Sequence, residues 1–333
     1  MCPIQQFLLL LLSCVTFSVV VMSSNVKVER LDEIEITELG EGPHWDVEKQ
    51  CLYFIDIFGK SIHRYVPATK KHTKAVIGTN HVSIIIPVKD EKDKFVVSIG
   101  RELAIVTWDG ESSNVSKVEK IYEVENDPET IDNRFNDGKC DPTGRLWVGT
   151  MGGEPVNGQV KREKGGLYSF QNNKVKKHIS KVGISNGLAW NLDLKKFYYV
   201  DSHNRTVDEY DFEEETGDIS NRKTVFDLSK HGINGSTDGM AIDTDGNLWV
   251  AVFGSHRVIK IDPRKPETLL EAINIPAKQV TSVAFGGPNL DELYVTTAKF
   301  TINGEVLSPP DHGATYRVTG INAKGYPGVS FAK

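Results

Sequence analysis

No stretch of the chain sustains a helical period of apolar positions. What recurs is a short run of aromatic and branched residues. The six members are Leu52–Asp56, Phe95–Ile99, Leu146–Thr150, Phe197–Asp201, Leu248–Val252 and Leu293–Thr297. Residues of these types favour a pleated, packed strand. The first residues of the runs lie 43, 51, 51, 51 and 45 positions apart. A second strand with its own turn follows several of them, as in Ser61–Tyr65, Gly166–Phe170, Thr206–Tyr210 and Arg257–Ile261. Two flanking turns are near copies, Asp141-Pro-Thr-Gly-Arg-Leu-Trp147 and Asp243-Thr-Asp-Gly-Asn-Leu-Trp249. Strand-only units repeated every 40 to 50 residues are the signature of radial blades. A parallel β-helix repeats at much shorter periods, and a sandwich does not repeat at a fixed long one. The pattern predicts an all-β, six-bladed β-propeller, as a single domain over residues 24–333.

The amino terminus departs from this pattern. Phe7–Val21 is an apolar run of 15 residues, followed by Ser23 and Ser24. That length is short for a spanning helix and suits a secretory signal over residues 1–23, although no Lys or Arg precedes the run. The expected location is therefore secreted. A retained anchor is one alternative, and translation from Met22 would give a cytoplasmic form. Beyond Cys2 and Cys14 only Cys51 and Cys140 remain, and they read as two buried free thiols rather than a disulfide framework. Three sequons begin at Asn114, Asn204 and Asn234. The formal net charge is -6, with Lys and Arg scattered. That favours neither nucleic acid nor, for the mature chain, an anionic membrane. A monomer is expected.

Radial blades surround a channel lined by their innermost strands, so polar residues far apart in sequence converge there. Clusters precede five of the six core runs: Gly40–Trp45, Asn133–Lys139, Ile184–Trp190, Ser236–Ile242 and Thr281–Phe285. Three of them share an oxygen-bearing side chain followed by glycine: Glu41, Asn186 and Asp238. The glycine is expected to let the backbone turn sharply and aim that side chain down the channel. Asp137-Gly138 has the same form but is followed by Lys139, which makes Asp137 a reserve candidate. Taken singly, Asp-Gly and Asn-Gly are ordinary turn pairs; their joint occurrence before equivalent strands is the signal. Two carboxylates and an amide form a hard-oxygen set suited to Ca²⁺, Mg²⁺ or Mn²⁺, with Zn²⁺ also able to sit there. His44, His81 and His203 form no ligand-spaced pair and read as structural or exposed.

The chain resembles the senescence-marker-protein/gluconolactonase/luciferin-regenerating-enzyme family, of regucalcin-like type, from about Glu38 to Gly328. The matching stretches include GEGPHWD (40–46), DNRFNDGK (132–139), ISNGLAW (184–190), DGM (238–240), NLWVA (247–251) and TSVAFGGPNLDELYVT (281–296). GEGPHWD, TWDG (107–110) and AFGGPNLDEL (284–293) look especially like the insect branch. The resemblance implies one divalent metal ion held by Glu41, Asn186 and Asp238. It makes Asp238 the acid/base residue as well, with Arg134, Asn136 and Glu154 contacting substrate. Asp132 replaces the family's first Asn in the 132–139 stretch, and Glu154 stands in a divergent Met-Gly-Gly-Glu-Pro setting. The implied partner is a small lactone or ester. A bound cation would polarise the lactone carbonyl and lower the pKa of a bound water, which makes activated water the expected nucleophile. Metal-dependent sugar-lactone hydrolysis, gluconolactonase-like, is the leading expectation. The alternatives are hydrolysis of an aromatic heterocycle, as in the luciferin-regenerating branch, and calcium binding without turnover. An apolar channel mouth would favour the heterocycle; Arg134 with Glu154 favours a polyol.

Overall fold

A computed structural model describes residues 25–153, 160–301 and 304–333 of the chain. The expected signal over 1–23 and the substrate residue Glu154 lie outside the described residues. The remainder is all-β and propeller-like. β1 is Lys27–Arg30, and four separate antiparallel sheets of four strands follow in chain order. The first holds β2 (Gly40–Asp46), β3 (Cys51–Asp56), β4 (Ser61–Val66) and β5 (Lys71–Val76). The second holds β6 (Val82–Pro87), β7 (Lys94–Ile99), β8 (Glu102–Thr107) and β9 (Lys117–Glu123). The third holds β10 (Arg134–Cys140), β11 (Leu146–Met151), β12 (Gly165–Gln171) and β13 (Lys174–Val182). The fourth holds β14 (Ser185–Asn191), β15 (Lys196–Asp201), β16 (Thr206–Glu213) and β17 (Asp218–Asp227).

The last seven strands and β1 form one eight-stranded sheet. It contains β18 (Ser236–Ile242), β19 (Leu248–Phe253), β20 (Arg257–Ile261) and β21 (Leu269–Asn274). It also contains β22 (Gln279–Gly286), β23 (Glu292–Ala298), β24 (Tyr316–Thr319) and the early strand β1, which pairs with β24. The sequence spacing predicts six separate sheets, and here the structure differs. Phe253 at the end of β19 pairs with Gln279 at the start of β22, and this single bridge fuses the two four-stranded arrays.

All six aromatic runs fall on the second strand of their array, and all five polar clusters fall on first strands. The second strands are apolar almost throughout because both faces are covered by neighbouring arrays. Tyr53 and Ile55 pack on Phe95 and Val97, and Val96 and Leu103 share a cluster with Leu146 and Val148. Further round, Trp147 meets Phe197 and Tyr199. Tyr198 and Val200 meet Val250 and Ile259, and Trp249 and Ala251 meet Val283 and Val295. Finally Trp45 and Phe54 meet Tyr294, which returns the packing to the first sheet. The outermost strands are polar edges. In β13, Lys174, Lys176 and Lys177 face solvent, which discourages pairing with another chain.

The two near-copy turns are structural. Asp141 Oδ1 accepts from the Thr143 and Arg145 amides, and its Oδ2 accepts from Trp147 Nε1 at 3.0 Å. Asp243 repeats this with Asp245, Asn247 and Trp249 Nε1, also at 3.0 Å. The C-terminal segment crosses one end of the channel. Phe331 exchanges backbone hydrogen bonds with Pro87 and Lys89, and Ala332 N–H donates to the Gly144 carbonyl. Tyr326–Val329 line a small cavity of about 130 Å³ at that end.

Candidate active site

Each innermost strand carries one shift of register. The shifts lie between Glu41 and His44, Val82 and Ile85, Phe135 and Gly138, Ser185 and Leu188, Thr237 and Met240, and Val280 and Ser282. An extra residue in one strand bends it and re-aims the side chains there. Glu41, Asn136, Asp137, Asn186 and Asp238 all sit at these irregularities.

The glycines act differently from expectation. Only Gly42 has a left-handed backbone, with φ 56°. Gly187 and Gly239 have ordinary backbone angles, and what they permit is close approach. A Cβ on Gly187 would lie 2.7 Å from the Asp238 carbonyl oxygen, and one on Gly239 only 2.0 Å from Ser282 Oγ. Adjacent inner strands therefore nearly touch, which brings Asn186 and Asp238 together.

The open end of the channel is a cavity of about 860 Å³. Its lining includes the buried residues Glu41, Arg134, Asn136, Asn186 and Asp238. Five of the six named site residues thus meet in one place; the sixth, Glu154, is outside the described chain. Arg134 donates to the Asn136 Oδ1 at 2.8 Å and to the Phe135 carbonyl at 3.0 Å. Asn136 in turn donates to the Ser185 carbonyl at 2.9 Å and to Asn186 Oδ1 at 3.2 Å. Asn186 Nδ2 donates to Ser202 Oγ at 2.7 Å, so its oxygen is the end turned toward Asn136. Ser202 and the half-buried His203 line the same cavity, and neither emerges as a site residue from the sequence. Ser202 closes the stretch Tyr199-Val-Asp-Ser202 at the end of the fourth aromatic run, which was the available signal.

The carboxylates are held against their preference for water. Glu41 accepts from the Gly42 amide at 3.0 Å, and Asp137 from the Gly138 amide at 2.7 Å. Burial and the nearby Asp137 push the Glu41 carboxyl up to about 8. Asp238 is raised well above the ordinary range by burial and by the charges of Glu41 and Asp137. Asp137 is raised too, mainly by burial, with Lys139 opposing. Asp238 Oδ1 is buried and has no hydrogen-bond partner. A buried, unpaired acceptor costs free energy unless something positive meets it. Among the described residues no group of three or more His, Cys, Asp or Glu stands ready to hold a metal. The candidate donors are therefore two carboxylates and the Asn186 amide, and the unpaired Asp238 oxygen fits a hard cation.

The rim is divided. Phe58, Phe253 and Phe300 form a part-buried aromatic group, with ring centroids 5.7 Å apart in both contacts. Leu39, Ile57, Met151 and Ile184 continue this apolar side, and the exposed Lys161 and Arg162 stand on the rim as well.

A propeller-like scaffold with one open channel, ending in buried oxygen donors, defines a protein built around a small-molecule site. The chain belongs to the SMP-30/Gluconolactonase/LRE-like family, whose pattern matches residues 39–299. It is 37% identical to regucalcin of Macaca fascicularis over 311 residues, covering 93% of this chain and 99% of the relative. It is 36% identical to regucalcin of Danio rerio, covering 92% and 99%. Among solved structures, a luciferin-regenerating enzyme is 48% identical, with a TM-score of 0.87, over 92% of this chain and 100% of that one. A calcium-binding regucalcin of Agrobacterium tumefaciens is 26% identical, with a TM-score of 0.79, over 92% and 98%.

Proposed function

We propose that this protein is a metal-dependent lactone hydrolase acting in the open cavity. The observation that carries the reading is the buried, unpaired Asp238 oxygen beside Glu41 and Asn186. Family membership supports it, since the family's description includes gluconolactonase. Glu41, Asn186 and Asp238 would hold one divalent ion, Ca²⁺ or Zn²⁺ first, with Mn²⁺ and Mg²⁺ as alternatives. Such an ion supplies Lewis-acid polarisation of the lactone carbonyl.

The chain's own groups do the rest. Asp238 would accept the proton of the attacking water, and a cation held beside it would favour its charged form. Arg134, braced by Asn136, donates toward the oxygen that gains charge in the transition state. Glu154 remains in the proposal as a substrate contact from the sequence. We also take the eight-stranded sheet as two blades joined at the Phe253–Gln279 bridge, which brings the count to six. Secretion with loss of residues 1–23 belongs to the same reading, and intact mass of the protein from a secretory host tests it.

A second reading has its own observation. Phe58, Phe253 and Phe300 suit a flat, apolar ring better than a polyol, and the solved neighbour at 48% identity is a luciferin-regenerating enzyme. Both readings use the same metal and differ in substrate. The test is turnover by metal-stripped protein with Ca²⁺, Zn²⁺, Mn²⁺ or Mg²⁺ restored in turn. The substrates are δ-gluconolactone and dihydrocoumarin, an aryl lactone. Metal-restored turnover is expected, and preference for one substrate separates the two readings. Turnover of neither, in protein that binds the ion, would overturn both.

A further inference from the structure

The mouth of the cavity uses one device twice, with different ends. In the first sheet Asp56, the last residue of β3, accepts from the amides of Glu38 at 2.9 Å and Leu39 at 3.1 Å, just before the strand that carries Glu41. In the fourth sheet Asp201, the last residue of β15, accepts from the amides of Gly183 and Ile184, both at 3.0 Å, just before the strand that carries Asn186. Two residues beyond each aspartate, a ring lines the mouth cavity: Phe58 in the first sheet and His203 in the fourth. Phe58 belongs to the aromatic group with Phe253 and Phe300 of the eight-stranded sheet. His203 follows Ser202, which holds the Asn186 amide. Its sheet packs on the third, which carries Arg134 and Asn136. The mouth therefore has an aromatic arc and a polar arc, and an imidazole stands where a further phenyl ring would have extended the first.

That imidazole is seated, not loose. Its backbone amide donates to Asp201 at 3.2 Å. A Cβ on Gly183 would lie 2.2 Å from His203 Nδ1, so only glycine leaves room for the ring there. Nδ1 is buried with no hydrogen-bond partner among the described residues. An enclosed N–H without an acceptor is rarer in proteins than an enclosed acceptor without a donor, which puts the proton of the neutral ring on Nε2. Burial lowers the imidazole's pKa, with Asp201 opposing and Arg162 adding, so the neutral form is favoured. Nε2 is not enclosed as Nδ1 is and has no partner among the described residues, which leaves one N–H for a ligand. The ring stands between the mouth cavity and a smaller one of about 270 Å³.

We propose that His203 is a specificity-determining residue of the mouth cavity: its Nε2–H donates to a hydroxyl oxygen on the ring of a polyhydroxy lactone, while Phe58, Phe253 and Phe300 cover that ring's apolar face. A site that hydrogen-bonds a substrate hydroxyl discriminates against the analogue lacking it, because the site's own polar group is then left unpaired. The inference rests on the lactone-hydrolase reading above and names the substrate class within it.

The experiment measures steady-state kinetics with δ-gluconolactone and dihydrocoumarin on the purified protein and its His203→Ala, His203→Phe and His203→Gln variants, each loaded with the ion that restores most turnover. Loss of one neutral hydrogen bond to substrate corresponds to about tenfold. The ratio of kcat/KM for δ-gluconolactone to that for dihydrocoumarin is expected to fall by about that factor in His203→Ala, through KM. His203→Phe keeps a flat ring, takes the place of His203→Ala if that variant does not fold, and is expected to show the same fall. His203→Gln retains an N–H donor and is expected to return the ratio to within about threefold of the parent's. Calorimetric titration of the ion into each variant separates a direct contact from an effect relayed through Ser202 and Asn186, and the parent's affinity is expected throughout. An unchanged ratio in the folded His203→Ala or His203→Phe variant would overturn the role of His203 alone. So would a Gln variant as low as these, turnover by the parent confined to dihydrocoumarin, or weakened ion binding that accounts for the loss. Turnover of neither substrate by the folded, ion-loaded parent would remove the lactone reading itself, and the inference with it.

Discussion

Asp243 and Asp238 lie five residues apart, both buried, yet their surroundings are opposite. Asp243 accepts from two backbone amides, from the Asn247 side chain and from Trp249 Nε1, and Lys260 Nζ stands 3.2 Å away. Asp141 is the same device in the third sheet. Asp238 has one amide, from Gly239, two carboxylates that repel it, and an oxygen with no partner. A buried carboxylate whose lone pairs are all met holds its own strands together. One left unmet is a cost the fold carries, and such costs gather where a ligand removes them. The contrast distinguishes structure from function without reference to any relative.

The sharpest break of that contrast is Asp238→Asn. Turnover is expected to fall by roughly 10³-fold, the range for loss of a general base. Stability of the metal-free protein should stay level or rise, because a repelled charge is gone. A thermal melt alongside the assay reads both. Asp243→Ala should do the reverse. It strands the Trp249 indole N–H and the Lys260 ammonium, and should cost roughly 3–5 kcal/mol of stability in urea unfolding. Turnover per folded molecule should hardly change.

The pH dependence sharpens the same point. Glu41 binds its proton more tightly in the folded chain, at about 8, than at its ordinary value of 4.5. Between those values the folded state holds more protons than the unfolded one, so stability falls as pH rises. This contribution is fully present below pH 4.5 and lost on passing through about pH 8. Denaturant titrations of metal-free protein across that window should show the decline. Saturating Ca²⁺ should flatten or reverse it, because the ion needs the charged form. A decline that persists with the ion bound would put Glu41 outside the ligand set.

Smaller effects test the surroundings. Ser202→Ala removes the acceptor that orients the Asn186 amide, and Ca²⁺ affinity should weaken by about tenfold in calorimetric titration. Phe300→Ala should lower kcat/KM for dihydrocoumarin by about fivefold and leave δ-gluconolactone nearly unaffected. Equal losses on both substrates would remove the aromatic rim from substrate recognition.

Much of this was legible in the chain. The repeat of strands located every second strand and every inner strand but one. The exception, β6, reads Val82-Ser-Ile-Ile-Ile-Pro87 and carries no polar cluster to mark it. The convergence of Glu41, Asn186 and Asp238 also followed from their shared position before the strands. The expected turn at the glycines holds at Gly42 but not at Gly187 or Gly239, where contact between neighbouring inner strands, invisible to local turn rules, requires the glycine. Ser202 and His203 were missed because the cavity recruits them from just past the end of β15, beyond the aromatic run that marks that strand. The fused sheet depends on one bridge between β19 and β22, and a repeat spacing of 45 residues cannot announce a single hydrogen-bonded pair.

The most direct test strips the purified protein with chelator and follows turnover of δ-gluconolactone and dihydrocoumarin as Ca²⁺ or Zn²⁺ is titrated back, beside Asp238→Asn. The account predicts no activity without the ion, saturable recovery in the parent, and no recovery in the variant. Full turnover in chelator, or recovery of Asp238→Asn to the parent's rate, would contradict it.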